Sequence, residues 1–123
     1  MNTELNFLRK EALQELETNI LPFWMQQCID TEHGGFIGRI RGDGSADPDS
    51  PKGAILNARI LWAFSAAFRV LGKKEYIETA TRAKREIIDC FYDKEYGGVF
   101  WSLDSQGRPL DTKKQIYALG FAI

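Results

Sequence analysis

The stretches DTEHGGFIGRIRGDG, Asp30 to Gly44, and DKEYGGVFWSLDSQG, Asp93 to Gly107, are two copies of one pattern. Asp30 aligns with Asp93 and Glu32 with Glu95. Gly34 and Gly35 align with Gly97 and Gly98, and Gly44 with Gly107. A lysine follows each copy, Lys52 and Lys114. Paired glycines accept positive φ, so each copy predicts a tight turn. The residues after the pair alternate in strand fashion, with Phe36 and Ile40 in one copy and Val99, Trp101 and Leu103 in the other. Each copy reads as a short β-hairpin.

The segments around the hairpins are helical and of two kinds. Thr3 to Gln27 carries a one-sided apolar stripe of Leu5, Leu8, Ala12, Leu16, Ile20 and Phe23, with Pro22 expected to kink it or to begin a new helical stretch. Lys74 to Phe91 carries a similar stripe of Ile77, Ala80, Ile87, Ile88 and Phe91. Lys52 to Leu71 is apolar all round, and so is the run from Lys114 onward. Helices of that kind are expected to be buried on every side. The order is therefore outer helix, hairpin, inner helix, given twice.

That alternation suits an all-α toroid in which a ring of outer helices shelters a ring of inner ones. Six pairs at the spacing of Asp30 to Asp93 need roughly 380 residues, and repeat folds need several copies to close a core. The run KKQIYALGFAI reaches Ile123 without a glycine cap or a polar tail. Residues 1–123 are thus expected to be the N-terminal portion of one (α/α)6-barrel domain, truncated at Ile123. The alternative fold is a small helical bundle decorated with two hairpins.

Sixteen basic and seventeen acidic residues leave a net charge of −1, which supplies no electrostatic attraction to nucleic acid or to an anionic membrane. No segment reads as apolar enough over its length to cross a bilayer, and the N-terminus lacks the layout of a secretory signal. Cys28 and Cys90 make neither a disulfide framework nor a zinc site and read as reduced thiols in a cytoplasmic protein. His33 is the only histidine, which removes Ser-His, Cys-His and multi-histidine metal chemistry. Its repeat partner is Tyr96, so it reads as a hairpin residue. Asp43, Asp47 and Asp49 do not fit calcium-loop spacing and read as an ordinary turn. No metal or cofactor is expected.

One residue stands out inside PKGAILNARILWAFSAAFR, Pro51 to Arg69: the guanidinium of Arg59 in the most apolar helix. A buried charge costs several kcal/mol, roughly, unless something answers it. Either a structural ion pair or a polar ligand is expected to do so.

The blocks DTEHGGFIGRI, PKGAILNARILWAFS, YGGVFWSLDSQGRPLDTKK and YALGFAI, in this order, resemble the cellobiose 2-epimerases, which belong to one superfamily with the N-acyl-D-glucosamine 2-epimerases. The resemblance is clearest from Phe23 to Ile123 and covers about the first third of such an enzyme. It implies an (α/α)6 barrel with a sugar site at the mouth formed by the inner-helix ends. The implied reaction is epimerisation at C2 of the reducing-end sugar of a β-1,4-linked disaccharide, without a cofactor, by a monomer. Arg59 matches the family arginine at the reacting end of the sugar, and Tyr117 an inner-helix tyrosine that faces it. Phe121, one turn on from Tyr117, and Trp62, three residues after Arg59, are further candidates, with core packing as their competing reading. The family's two acid–base histidines lie on later inner helices and have no counterpart here. Four other readings stay open: an N-acylglucosamine 2-epimerase, an aldose–ketose isomerase of the same fold, a glycoside or uronyl hydrolase on the same barrel, and a non-catalytic helical interaction module.

Overall fold

The Asn2 side chain opens the first helix by accepting a hydrogen bond from the Glu4 N–H at 3.0 Å, as an N-cap residue does. This computed structural model describes residues 2–123. Helix α1, Thr3–Glu15, runs unbroken through a π-helical stretch, Leu16–Ile20, into α2, Leu21–Gln27. Pro22 lies in the first turn of α2, where its missing N–H is tolerated. The turn before it is widened, and the Leu21 N–H bonds the Leu16 carbonyl five residues back. Of the two expectations for Pro22 the second holds: it stands in the first turn of a new helical stretch, after a π-helical turn.

The first hairpin follows, marked by bridges between Ile29 and Phe36 and between Ile40 and Ala46. Strand β1, Lys52–Gly53, leads into α3, Ala54–Leu71. Gly72, at φ +73°, ends α3 with its N–H on the Phe68 carbonyl. Helix α4, Lys74–Glu86, returns antiparallel and closes in a second π-helical stretch, Ile87–Phe91. The second hairpin carries β2, Ser102–Leu103, and β3, Pro109–Asp111, before the short α5, Ile116–Ala122. Three strands form one antiparallel sheet in the order β1-β2-β3, with Lys52 opposite Leu103. The strand that enters the first inner helix is thus paired to the hairpin of the second copy.

The repeat is a repeat of backbone. Gly34 and Gly35 have φ of 85° and 63°, and Gly97 and Gly98 have 76° and 73°. Two apolar clusters make the core. One joins Leu21, Phe36, Ile60, Phe64, Tyr76 and Ala80, and the other joins Ala54, Phe91, Val99, Leu103 and Ala118.

Several sequence expectations about burial need correction. The buried stripe of α4 is Tyr76, Thr79, Ala80, Ala83 and Glu86, while Ile77 is half-buried and Ile88 exposed. Leu5 and Leu8 on α1 are exposed. Helix α3 buries Ala54, Asn57, Ala58, Ile60, Phe64 and Ala67 and leaves Arg59, Trp62, Ala63 and Val70 open. Helix α5 buries Ala118 alone. The physical reason is common to all four: an apolar side is buried only where another element stands against it, and α4 covers one side of α3.

The bilayer criterion also changes. Helix α3 is 18 residues long with mean hydropathy 1.4, which meets the length and apolarity of a membrane-crossing segment. One third of that segment is buried, and α4 packs against it on one side.

Candidate functional site

The two hairpins build the same polar device. Asp30 Oδ1 accepts the N–H groups of Glu32 at 3.0 Å and His33 at 2.9 Å, and Asp93 Oδ1 accepts those of Glu95 at 3.0 Å and Tyr96 at 3.1 Å. The second oxygen of each takes the lysine that follows: Lys52 Nζ is 2.8 Å from Asp30 Oδ2, and Lys114 Nζ is 2.5 Å from Asp93 Oδ2. Burial works to raise the Asp30 carboxyl, but Lys52 and the two backbone donors outweigh it and hold it below the usual range. The Lys114 hydrogen bond, with the Tyr96 and Glu95 N–H groups, lowers Asp93.

The first copy is the more enclosed. Lys52 is 1% exposed and also donates to the Gly34 carbonyl at 2.6 Å. Arg82 Nε donates to the Gly35 carbonyl at 2.8 Å, and its Nη2 donates to the Asp30 carbonyl. Glu86 completes the cluster, 4.0 Å from Lys52 Nζ, with Oε1 buried and unpartnered among the described residues. Burial pushes the Glu86 carboxyl up, against the pull of Lys52 and Arg82. His33 Nδ1 sits 3.6 Å from Asp30 Oδ2 as part of this turn, the hairpin place expected for it.

A second feature is an open cleft of about 1130 Å³ against the uncovered side of α3. Ile55, Arg59 and Trp62 line it from α3, Phe121 from α5 and Trp24 from α2. Ile55, Arg59 and Trp62 follow one another at four and three residues, which places them on one helix face. Trp62 is 73% exposed, a large apolar ring presented to the cleft and not to a core. Tyr117 is 66% exposed and packs edge-on against Phe121, with ring centroids 5.0 Å apart.

The lysines set a common register for the two helices. Each helix begins two residues after its lysine, at Ala54 and at Ile116. Arg59 lies seven residues after Lys52, and Phe121 seven after Lys114. Ile55 and Tyr117 lie three after. The face of α5 that carries Tyr117 and Phe121 therefore corresponds to the face of α3 that carries Ile55 and Arg59.

The expectation that Arg59 is a buried cation is corrected. Its side chain is exposed at the cleft, and it pairs with no carboxylate among the described residues. The buried cation is Lys52, answered entirely by protein groups. The candidates fare differently: Arg59, Trp62 and Phe121 line one cleft, while Tyr117 reaches it only through Phe121. The Lys52–Asp30–Arg82–Glu86 cluster was missed, although Asp30 and Lys52 both belong to the repeated pattern. Their shared recurrence was the signal that they form a pair. Cys28 is buried, with its thiol raised to about 11 by burial; Cys90 is half-buried, and both are free. No group of three or more potential metal ligands occurs among the described residues.

The sequence profile of the N-acylglucosamine 2-epimerase (GlcNAc 2-epimerase) family matches residues 35–123. A cellobiose 2-epimerase of Bacteroides fragilis is 62% identical over 116 residues, covering 94% of this chain and 30% of that protein. An N-acylglucosamine 2-epimerase of Mus musculus is 28% identical over 118 residues, covering 93% of this chain and 28% of that protein. The solved structure of cellobiose 2-epimerase from Bacillus thermoamylovorans superposes with a TM-score of 0.91 at 42% identity, over 94% of this chain and 30% of that one. A D-mannose isomerase structure superposes with a TM-score of 0.72 at 29% identity, over 82% of this chain and 25% of that one. The chain spans about 30% of the length of the curated relatives it matches first. The expected fold class stands: outer and inner helix pairs of an (α/α)6 barrel, joined by short hairpins.

Proposed function

The chain belongs to the N-acylglucosamine 2-epimerase family, and on that premise we propose that it supplies the substrate-orienting part of a sugar 2-epimerase acting on β-1,4-linked disaccharides such as cellobiose. One observation carries the reading. A chain 62% identical to a cellobiose 2-epimerase places Arg59, Trp62 and Phe121 around one open cleft.

In the proposed reaction the reducing-end ring opens, and the C1 aldehyde makes the C2 proton acidic. A base removes that proton, the electron pair moves toward C1, and a cis-enediolate forms. A proton returned to the opposite face of C2 gives the epimer. The Arg59 guanidinium, held at the cleft without a carboxylate of its own, hydrogen-bonds the C1 oxygen and stabilises the charge that develops there. The Trp62 ring offers an apolar platform to the C–H face of a sugar, and Phe121 with Tyr117 borders the reacting end. The two bases are assigned to residues beyond these 123, as the family likeness implies, and His33 keeps its place in the first hairpin turn.

The test is product analysis. The full-length protein incubated with cellobiose is expected to yield glucosyl-mannose, and the 123-residue chain alone to yield none above background. No epimer from the full-length protein sinks the reading. A ketose product favours the second reading, an aldose–ketose isomerase, which the similarity to D-mannose isomerase supports. A hydrolase needs a carboxylate pair across the site, and neither α3 nor α5 contains Asp or Glu.

A further inference from the structure

Helices α3 and α5 both start without a side-chain cap. Something else must fix where each begins and how it is rotated about its axis. The candidates are the lysines two residues before each first turn. Lys114 is held at several points. Its ammonium meets Asp93 Oδ2 at 2.5 Å and lies 4.5 Å from the centre of the Phe100 ring. Its stem runs along Gly98, where an added Cβ would stand 3.6 Å from Lys114 Cε and 3.0 Å from Leu119 Cδ2. The second hairpin therefore stands against Lys114, just ahead of α5, and against Leu119 within it. Lys52 is held likewise by Asp30 and by the Gly34 carbonyl.

The spacing from each lysine is the same in both copies, three residues to Ile55 or Tyr117 and seven to the cleft-lining Arg59 or Phe121. In both copies one extended residue, Gly53 or Gln115, separates the lysine from its helix, so the positions three and seven residues on occupy matching places on α3 and α5. A helix whose entrance is tied to an aspartate thus presents these positions at a set angle.

We propose that Lys114 and Lys52 are positioning residues, each tying the entrance of its helix to the aspartate of the preceding hairpin and so aiming Phe121, with Tyr117 packed against it, or Arg59, at the cleft. The paired lysine and aspartate touch no substrate. A displacement of about 1 Å at a binding group costs on the order of 100-fold in rate, so such a tie has kinetic weight. The kinetic part rests on the sugar-site reading above. The conformational part does not.

The experiment has two arms. In the first, the full-length protein is labelled with 3-fluorotyrosine, and the Tyr117 and Tyr76 signals are assigned with Tyr117→Phe and Tyr76→Phe. Lys114→Met is expected to shift or broaden the Tyr117 signal and leave the buried Tyr76 signal in place, while Lys114→Arg keeps both. Asp93→Asn, which retains an acceptor for the turn N–H groups, is expected to act as Lys114→Met does. It serves as the deciding variant if Tyr76 moves in Lys114→Met. A Tyr117 signal unmoved in a folded variant overturns the proposal. In the second arm, with the full-length protein and cellobiose, Lys114→Met is expected to lower kcat about 10-fold or more with KM changed less than about threefold, and Lys114→Arg to restore most of the loss. Unchanged kcat in Lys114→Met overturns the proposal and leaves the epimerase reading standing. If the unaltered full-length protein does not epimerise cellobiose, the reading falls and the fluorine arm alone decides the tie.

Discussion

Lys52 Nζ stands 2.8 Å from Asp30 Oδ2 with the lysine almost wholly out of water. The matching pair of the second copy, Lys114 and Asp93, is nearer the surface, with 30% of the lysine side chain exposed. Enclosure, and not the pair itself, distinguishes the copies. Arg82 and Glu86 of α4 lie over the first hairpin, whereas at the second an added Cβ on Gly97 would meet nothing within 4 Å and one on Gly98 would meet Leu119 of the short α5.

Removing the buried ammonium leaves the Asp30 carboxyl without its cation inside the protein. Lys52→Met is expected to destabilise the chain by about 3–5 kcal/mol, read as a lower urea midpoint. Lys114→Met is expected to shift the midpoint less, because water reaches that pair. Equal midpoints for Lys52→Met and the unaltered chain contradict the role given to the cluster.

Glu86 and the two aspartates pull stability in opposite directions with pH. The Glu86 carboxyl titrates above its usual range, chiefly because burial disfavours its charge. Its contribution is therefore fully present in acid and is lost as pH rises through the raised value. Asp30, where Lys52 and the turn N–H groups prevail over burial, titrates low, and so does Asp93. Their contribution is present above the usual carboxylate range and is lost as pH falls through the lowered values. Glu86→Gln is expected to flatten the decline that begins above the usual carboxylate range and to leave the lower-pH limb alone. Tm measured from about pH 3 to about pH 8 checks this, and superposable curves above the usual carboxylate range count against it.

The glycines of the two hairpins separate backbone strain from crowding. Gly97→Ala places a methyl at φ +76° in open space and is expected to cost about 1–2 kcal/mol. Gly35→Ala, at φ +63°, adds a Cβ only 2.4 Å from Glu86 Cδ and is expected to cost roughly 1–3 kcal/mol more. Equal unfolding free energies for the two variants argue against close contact between α4 and the first hairpin.

Arg59 is exposed and makes no ion pair among the described residues, so Arg59→Ala is expected to alter the chain's stability by less than about 0.5 kcal/mol. In the full-length protein the same change is expected to lower kcat for epimerisation about 100-fold or more. A large loss of stability, or near-normal turnover, returns Arg59 to a structural role.

Much of the local structure was legible in the residues. The Gly-Gly pairs marked both hairpins because few other residues tolerate positive φ twice in succession. The order of helices followed from where charge and apolar side chains alternate. Arg59, Trp62 and Phe121 were each named, and all three line the cleft. The neighbours of those helices were not legible. The apolar stripe read on α4 ran through Ile77 and Ile88, whereas the buried line runs through Tyr76, Ala80, Ala83 and Glu86. Glu86 is polar and invited no core assignment, yet it sits beside Lys52.

Sequence alone determined the repeat, the turns, the alternation of helix types and the family likeness, because these depend on residues close together in the chain. Tertiary structure decided which cation is enclosed. Lys52 is sealed by groups from Asp30, Gly34 and Glu86, which lie 22, 18 and 34 positions away in the chain, and Arg59 stands where no other element of this chain covers it. Burial is a relation between elements, set by what packs against what. No periodicity within one helix can specify it.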